Sequence, residues 1–231
     1  VKDFLLGQVR KQLGPGYDVE KHFTPRYDPW DQRLCLIPNA DLFQAIKAGK
    51  ASVVTDHIER ITRRGIRLGS GEELEADIII VATGLNLKVL GGVQFSVDGA
   101  SVQFPETWTY KGMMYSDIPN LVQTFGYVNA SWTLRADLIA EYVCRLLERM
   151  DELGVRQCTP RLREEDRGMT QRPWIDGFSS GYIRRGEHLV PKQGDREPWL
   201  NAQSYATGKK TIRHAPLEDG ALLFSTPGAS C

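Results

Sequence analysis

The stretch Asp77-Ile78-Ile79-Ile80-Val81-Ala82-Thr83-Gly84 constrains the fold more than any other. A strand that faces water on one side alternates apolar and polar residues, and a run apolar at every position has no wet face. Ile78 to Val81 is such a run, so it predicts a strand buried on both faces of a parallel sheet, with Ile79 more than half buried. That implies an α/β class with layers on either side of an incomplete sheet. In open α/β sheets, ligands sit beyond the carboxyl ends of the strands. Ala82, Thr83 and Gly84 occupy that end, where small residues let a ligand approach the backbone. Thr83 and Gly84 are therefore candidate cofactor contacts, although a tight strand exit without a ligand accounts for the same residues.

Other elements follow from periodicity. Phe4, Leu5, Val9 and Leu13 form a helical stripe stopped by Gly14-Pro15-Gly16. Tyr17 to Arg33 reads as irregular, Leu34 to Ile37 as a short strand, and Asp41 to Ile46 as a helix after a Pro38-Asn39 turn, with Gly49 past its end. Ser52 to Thr55, Ile58 to Ile61 and Ile66 to Leu68 read as strands. Gly99 turns a hairpin between Val93 and Phe104, and Ser116 to Phe125 reads as a loop entering a strand. The longest helical stripe runs from Leu134 to Met150, capped by Asn129 or Ser131 and closed by Gly154. Beyond Thr159 the chain, rich in Arg, Pro, Gly and Trp, is expected to wrap as short elements.

Several functions are excluded or disfavoured. Of 231 residues, 29 are Lys or Arg and 29 are Asp or Glu, so there is no global basic excess for nucleic acid. No apolar run approaches the roughly 18 residues that cross a bilayer. Charges at Lys2, Asp3, Arg10 and Lys11 interrupt any signal-peptide core, so the expected location is cytoplasmic. Cys35, Cys144, Cys158 and Cys231 form no CxxC, and His22, His57, His188 and His214 lack ligand spacing, so no metal site is expected. No GxGxxG, Walker A or GxSxG motif is present.

Two further stretches carry chemistry. Gly126 to Thr133 is a small, polar turn entering a helix, which offers free N–H groups and a positive dipole end; simple helix capping explains it too. Arg33, in Pro29-Trp30-Asp31-Gln32-Arg33, can be held rigidly by its neighbours to clamp an anion, or can serve a structural ion pair.

Five stretches together resemble the class B flavoprotein monooxygenases, the flavin-containing and Baeyer–Villiger enzymes, most of all the ethionamide-activating type. They are HFTPRYDPWDQRLCLIPNADLF (His22 to Phe43), KASVVTDHIERIT (Lys50 to Thr62), ADIIIVATGLNL (Ala76 to Leu87), FGYVNASWTLRADL (Phe125 to Leu138) and PKQGDREPW (Pro191 to Trp199). The resemblance implies a fragment of a flavoprotein with two Rossmann-like dinucleotide-binding domains, one for FAD and one for NADPH. Residues 1–83 would be the C-terminal part of the NADPH domain and residues 84–231 the returning part of the FAD domain. The family's glycine fingerprints are expected upstream of Val1, so the isolated chain is expected to be inactive. The implied reaction inserts one oxygen atom from O2 into a ketone, or oxygenates a sulfur compound. Arg33 falls at the active-site arginine that steadies negative charge on the reacting oxygen. Gln32, where relatives often carry lysine, precedes it as a cofactor contact. Thr83, Gly84, Gly126 and Asn129 are expected to share one cofactor cleft. A disulfide reductase of similar architecture and a non-catalytic interaction module are the competing classes.

Overall fold

The computed structural model describes residues 1–32 and 34–227. The chain divides into two compact units, Val1–Leu85 and Asn86–Cys231.

In the first unit, α1 (Lys2–Leu13) forms where the apolar stripe predicts it and buries Leu6. Gly14, at φ 85°, ends it with an N–H bond to the Arg10 carbonyl of 2.9 Å. The segment expected to be irregular contains a short helix, α2 (Val19–Phe23), capped by the Asp18 carboxylate accepting from the Lys21 N–H at 3.0 Å. α3 (Asp41–Lys47) follows a 3₁₀ turn at Pro38–Ala40, and the Phe23 and Phe43 rings join α2 to α3 at 5.6 Å. β1 (Ile58–Ile61), β2 (Gly65–Leu68) and β3 (Glu73–Glu75) make an antiparallel meander. The Thr62 hydroxyl organises the β1–β2 turn, accepting from the Gly65 N–H at 3.1 Å and donating to Glu73 at 2.7 Å. Gly65 is required because a Cβ there would lie 1.9 Å from the Leu74 carbonyl oxygen.

Three strands expected in this unit do not form. Residues 34–37, 52–55 and 77–81 belong to no strand. Ile78, Ile80 and Val81 are 81%, 87% and 70% exposed, which corrects the expectation of a doubly buried central strand, although Ile79 is more than half buried as expected. The physical reason is pairing. Such a strand needs a partner on each edge and a layer over each face, and the meander offers neither. Its last ladder bond, Ala76 N–H to the Arg64 carbonyl at 3.0 Å, closes just before the apolar run. Every named strand pair is antiparallel, so the class is mixed α/β with two- and three-stranded sheets rather than one parallel sheet.

The second unit opens with a 3₁₀ turn at Val89–Gly92. The hairpin of β4 (Ser96–Val97) and β5 (Ala100–Ser101) turns at Gly99, φ 82°, as predicted. A second hairpin pairs β6 (Thr109–Tyr110) with β7 (Met114–Tyr115), while the strand expected within 116–125 is absent. α4 (Trp132–Leu153) is the organising element and ends at Gly154, φ 66°. Its buried face is Arg135, Leu138, Ile139, Tyr142, Leu146 and Met150, a 3–4 residue spacing that packs on Tyr110, Met113, Met114, Trp199 and Ile212. β8 (Gln157–Pro160) pairs antiparallel with β9 (Leu222–Ser225), so the last described strand returns to the core. The short helices α5 (Gly181–Gly186) and α6 (Tyr205–Gly208) lie in the wrapping segment between them. Among the described residues, no helix is long and apolar enough to cross a membrane.

The two faces of α4 should respond differently to truncation. Leu138 is fully buried and Leu147 is 55% exposed. Leu138→Ala is expected to cost about 2–5 kcal/mol in denaturant unfolding. Leu147→Ala should stay within about 0.5 kcal/mol. Equal effects would show that α4 does not bury the face described.

Candidate functional site

In the first unit, the loop before α3 is shaped by Asp28-Pro29-Trp30-Asp31. The Asp31 N–H donates to the Asp28 carbonyl, and the Asp28 N–H donates to the Asp31 carboxylate, both at 3.2 Å. Trp30 adopts φ 79°, uncommon for a bulky residue, which turns the chain sharply. Lys2 ties the loop to α1 by donating to the Tyr27 carbonyl at 3.1 Å and pairing with Asp28 at 3.5 Å. Gln32 is half-buried and bridges to Pro29. Arg33 lies outside the described residues. Gln32 and Leu34, its neighbours in sequence, both line a cleft of about 530 Å³ against α1.

Thr83 and Gly84 are exposed, in a segment that belongs to no strand. Gly84 has φ 101°, and a Cβ there would meet nothing within 4 Å. Glycine at this position thus serves the backbone conformation, not a close approach.

In the second unit, the turn before α4 is built on aromatic packing. A Cβ on Gly126 would lie 2.1 Å from the Trp132 ring, so this glycine lets the indole lie against the backbone. Phe125 sits between two indoles, its centroid 5.0 Å from Trp132 and 4.5 Å from Trp174. These three rings, with Leu87, Val89 and Gln123, line a pocket of about 220 Å³. The Trp174 Nε1 is buried without a partner among the described residues, an open donor. Ser131 stands at the N-cap of α4, as expected, but its hydroxyl bonds the Thr133 hydroxyl at 2.7 Å and not the backbone. The first turn of α4 carries no acidic residue. Neither the Ser131 hydroxyl nor an acidic side chain of the first turn caps its leading N–H groups, and the positive end of a 22-residue helix suits an electron-rich group. Asn129 is exposed on this turn, and Gln203 holds it by accepting from the Val128 N–H at 3.0 Å.

A buried polar frame fixes the direction of α4. Arg135, 1% exposed, donates to the Ala202 carbonyl at 2.7 Å and the Lys111 carbonyl at 3.0 Å. Its guanidinium lies 5.3 Å from the Tyr127 ring centre. Burial pulls its pKa down, and the facing Tyr127 and Glu197 oppose that. Lys111 pairs with Asp219 at 3.2 Å, and Tyr110 donates to the same carboxylate at 2.7 Å. Burial pushes the Tyr110 hydroxyl far above its ordinary range, so it remains a protonated donor. Among the described residues, no group of three or more His, Cys, Asp or Glu could hold a metal ion.

The structure thus places Gly126 and Asn129 on one turn, and Gln32 on a cleft, while Thr83 and Gly84 stand on an exposed segment. Phe125 and Trp174 escaped the sequence reading as a site, and Trp132, inside the singled-out turn, was not read as part of an aromatic pocket. Their only signal was aromatic content, which has no characteristic spacing.

No family model matches the chain. Curated relatives match along its whole length. The FAD-containing monooxygenase EthA of Mycobacterium tuberculosis is 50% identical over 225 residues, covering 97% of this chain and 45% of that protein. EthA of Mycolicibacterium smegmatis is 48% identical over 221 residues, covering 96% and 44%. The "Probable FAD-binding monooxygenase AlmA" of an Acinetobacter species is 45% identical over 232 residues, covering 99% and 45%. The chain spans less than half the length of these relatives, and it matches the C-terminal part of the EthA type.

The aromatic turn can be tested directly. Gly126→Ala should displace Trp132, change the near-ultraviolet circular dichroism, and cost about 1–3 kcal/mol by overpacking. Adding Trp132→Ala should recover most of that stability. A double variant no more stable than Gly126→Ala would show that the glycine is needed for another reason.

Proposed function

We infer that this chain, which is similar over 96–99% of its length to FAD-containing or FAD-binding monooxygenases, is the C-terminal part of a flavin-dependent monooxygenase that takes its electrons from NADPH. The reaction is transfer of one oxygen atom from O2 to a ketone or a sulfur compound. The observation that carries this reading is identity of 44–50% across stretches that include both the PWDQR and the GYVNASWTL segments. Residues 1–83 are assigned to the NADPH domain and 84–231 to the FAD domain. Exposed Ile78, Ile80 and Val81 support that assignment, because an apolar run of this kind suits a sheet completed by further polypeptide.

The residues present fit a flavin in part. The aromatic pocket suits a planar ring, and the open Trp174 donor and the start of α4, which Ser131 does not cap, suit that ring's acceptor oxygens and nitrogens. The diphosphate has no glycine turn of its own in this sequence. Bound flavin supplies the reducing equivalents that activate O2. The chain's own work is to orient and to shield. Gly126 and Asn129 present the helix start, Phe125 and Trp132 exclude water, and Thr83 and Gly84 are proposed to line the nicotinamide side with Gln32. Arg33 is the fixed cation at the reacting oxygen. A guanidinium suits that task because it stays charged and does not give up its proton.

In a protein of the relatives' full length, Arg33→Ala is expected to lower oxygenation by about 10²–10³ with flavin content and melting temperature unchanged. Arg33→Lys should recover little, since lysine lacks the planar fork. A fall in activity that only tracks lost folded protein would assign Arg33 a structural role. The 231-residue chain alone should purify without visible flavin absorbance; stoichiometric FAD on it would contradict the missing diphosphate turn.

A further inference from the structure

We propose that Gln193, Asn201 and Gln203 are positioning residues, a relay of three neutral amides that fixes the spacing between the two walls of the aromatic pocket and so orients the flat ring held there. The proposal rests on the flavin reading and adds what keeps the ring's seat in shape.

The walls come from distant stretches of chain. Phe125 and Trp132 lie on the turn entering α4, while Trp174, Val190 and Pro191 belong to the wrapping segment. Of these five residues Trp132 alone is in a helix and none is in a strand, so no ladder sets how far apart the walls stand.

The amides supply that link. Gln193, 2% exposed, donates from Nε2 to the Pro173 carbonyl at 2.6 Å and to the Asp176 carboxylate at 3.0 Å, and so grips the chain on both sides of Trp174. Its Oε1 accepts from the Asn201 N–H at 2.8 Å. Asn201, also buried, donates from Nδ2 to the Trp174 carbonyl at 2.9 Å. Gln203 donates to the Asn201 Oδ1 at 3.3 Å and accepts from the Val128 N–H at 3.0 Å, on the turn that carries Phe125. The relay thus runs from the Trp174 wall to the Phe125 wall through side chains alone.

A buried amide costs stability unless its donors and acceptors are met. Those of Gln193 are all met, two of them by groups that flank Trp174, and a satisfied network of this kind rigidifies what it joins. None of the three amides lines the pocket, so they act on its occupant only through the walls. Gln193 also gives the Pro191 to Trp199 stretch of the resemblance a task that the flavin reading left open.

The test uses a protein of the relatives' full length loaded with FAD, and reads FAD affinity, bound-flavin fluorescence and melting temperature. An indole in contact with a flavin quenches its fluorescence, so brightness reports where the ring sits against the wall. Gln193→Met keeps the side-chain length and removes the amide; it is expected to weaken FAD binding by about tenfold or more and to brighten the flavin still bound. Gln203→Leu should act in the same direction, and it carries the comparison should Gln193→Met fail to fold. Asn120→Ala controls for lost stability alone. The Asn120 amide joins the Arg156 carbonyl at 3.1 Å and the Cys158 N–H at 2.9 Å, and none of these three residues lines the pocket. Its loss should lower the melting temperature and leave flavin affinity and fluorescence unchanged. Unchanged affinity and fluorescence in the relay variants, or an equal change in Asn120→Ala, would overturn the proposal. The two readings fail separately. A wild-type protein of full length that holds no flavin loses the flavin reading. Near-ultraviolet circular dichroism of the 231-residue chain then decides the relay by itself, since the signal of the ring cluster should change in Gln193→Met and Gln203→Leu but not in Asn120→Ala. An unchanged spectrum overturns the relay whatever the pocket binds.

Discussion

A guanidinium leaves water at low cost only where fixed acceptors replace its hydration, and Arg135, in the first turn of α4, is buried with two backbone carbonyls as its acceptors. Its two bonds reach the Lys111 carbonyl in the β6–β7 hairpin and the Ala202 carbonyl in the wrapping segment, so one side chain joins three separate stretches of backbone. The hairpin must bend to meet it. Lys111 sits at φ 50° and Gly112 at φ 65°, and a Cβ on Gly112 would lie 2.1 Å from the guanidinium. Lys111 in turn pairs with Asp219, which brings the approach to β9 against the same hairpin. Removing either partner of such a buried pair strands the other charge, which typically costs about 3–5 kcal/mol. The aromatic turn at the start of α4 inherits its position from this frame.

What periodicity reveals is local amphipathicity, and where that decides the outcome the sequence was sufficient. α1, α3 and α4 formed near their predicted bounds because each has a stripe to bury or a clear stop at Gly14, Gly49 or Gly154. β1, β2 and the Gly99 hairpin needed only neighbours a few residues away. α2 was missed because its signal is a cap, the Asp18 carboxylate, and not a stripe. Ile78 to Val81 was misplaced for the opposite reason. Its composition specifies a strand interior, but a strand is defined by partners, and composition says nothing of whether the same 231 residues provide them.

The site shows a similar split between residue and reason. Gly126 was singled out as part of a small polar turn offering free N–H groups to a ligand, and the structure shows its lack of a side chain used by the Trp132 indole, which lies against its backbone. Ser131 was expected as a cap and holds the N-cap position, yet its hydroxyl is spent on Thr133. Trp174 lies more than forty residues from Phe125 in sequence, so no spacing rule could join them; the folded wrap does. Gln32 was read as a cofactor contact beside a cation and lines a cleft whose other residues are mostly apolar, among them Leu5, Val9, Phe23 and Trp30.

The two units differ in how completely they bury their apolar residues. The second has a continuous core around Tyr110, Met113, Leu138 and Trp199, each essentially inaccessible. The first buries Leu6, Val19 and Leu68 but leaves Leu36, Ile58, Ile61, Ile78, Ile80 and Val81 in water. Covering an exposed aliphatic side chain of this size contributes about 1.5–3 kcal/mol. Covering Ile78, Ile80 and Val81 together would therefore contribute several kcal/mol, comparable with the net stability of a small domain. A polypeptide that lays strands beside this run would thus bind with a driving force already present in the sequence. The same event would carry Thr83 and Gly84, which follow the run directly, from an exposed segment to the end of a formed strand. Docking of a sheet and completion of a ligand-binding edge would then be one process, driven by the apolar residues and used by the two small ones.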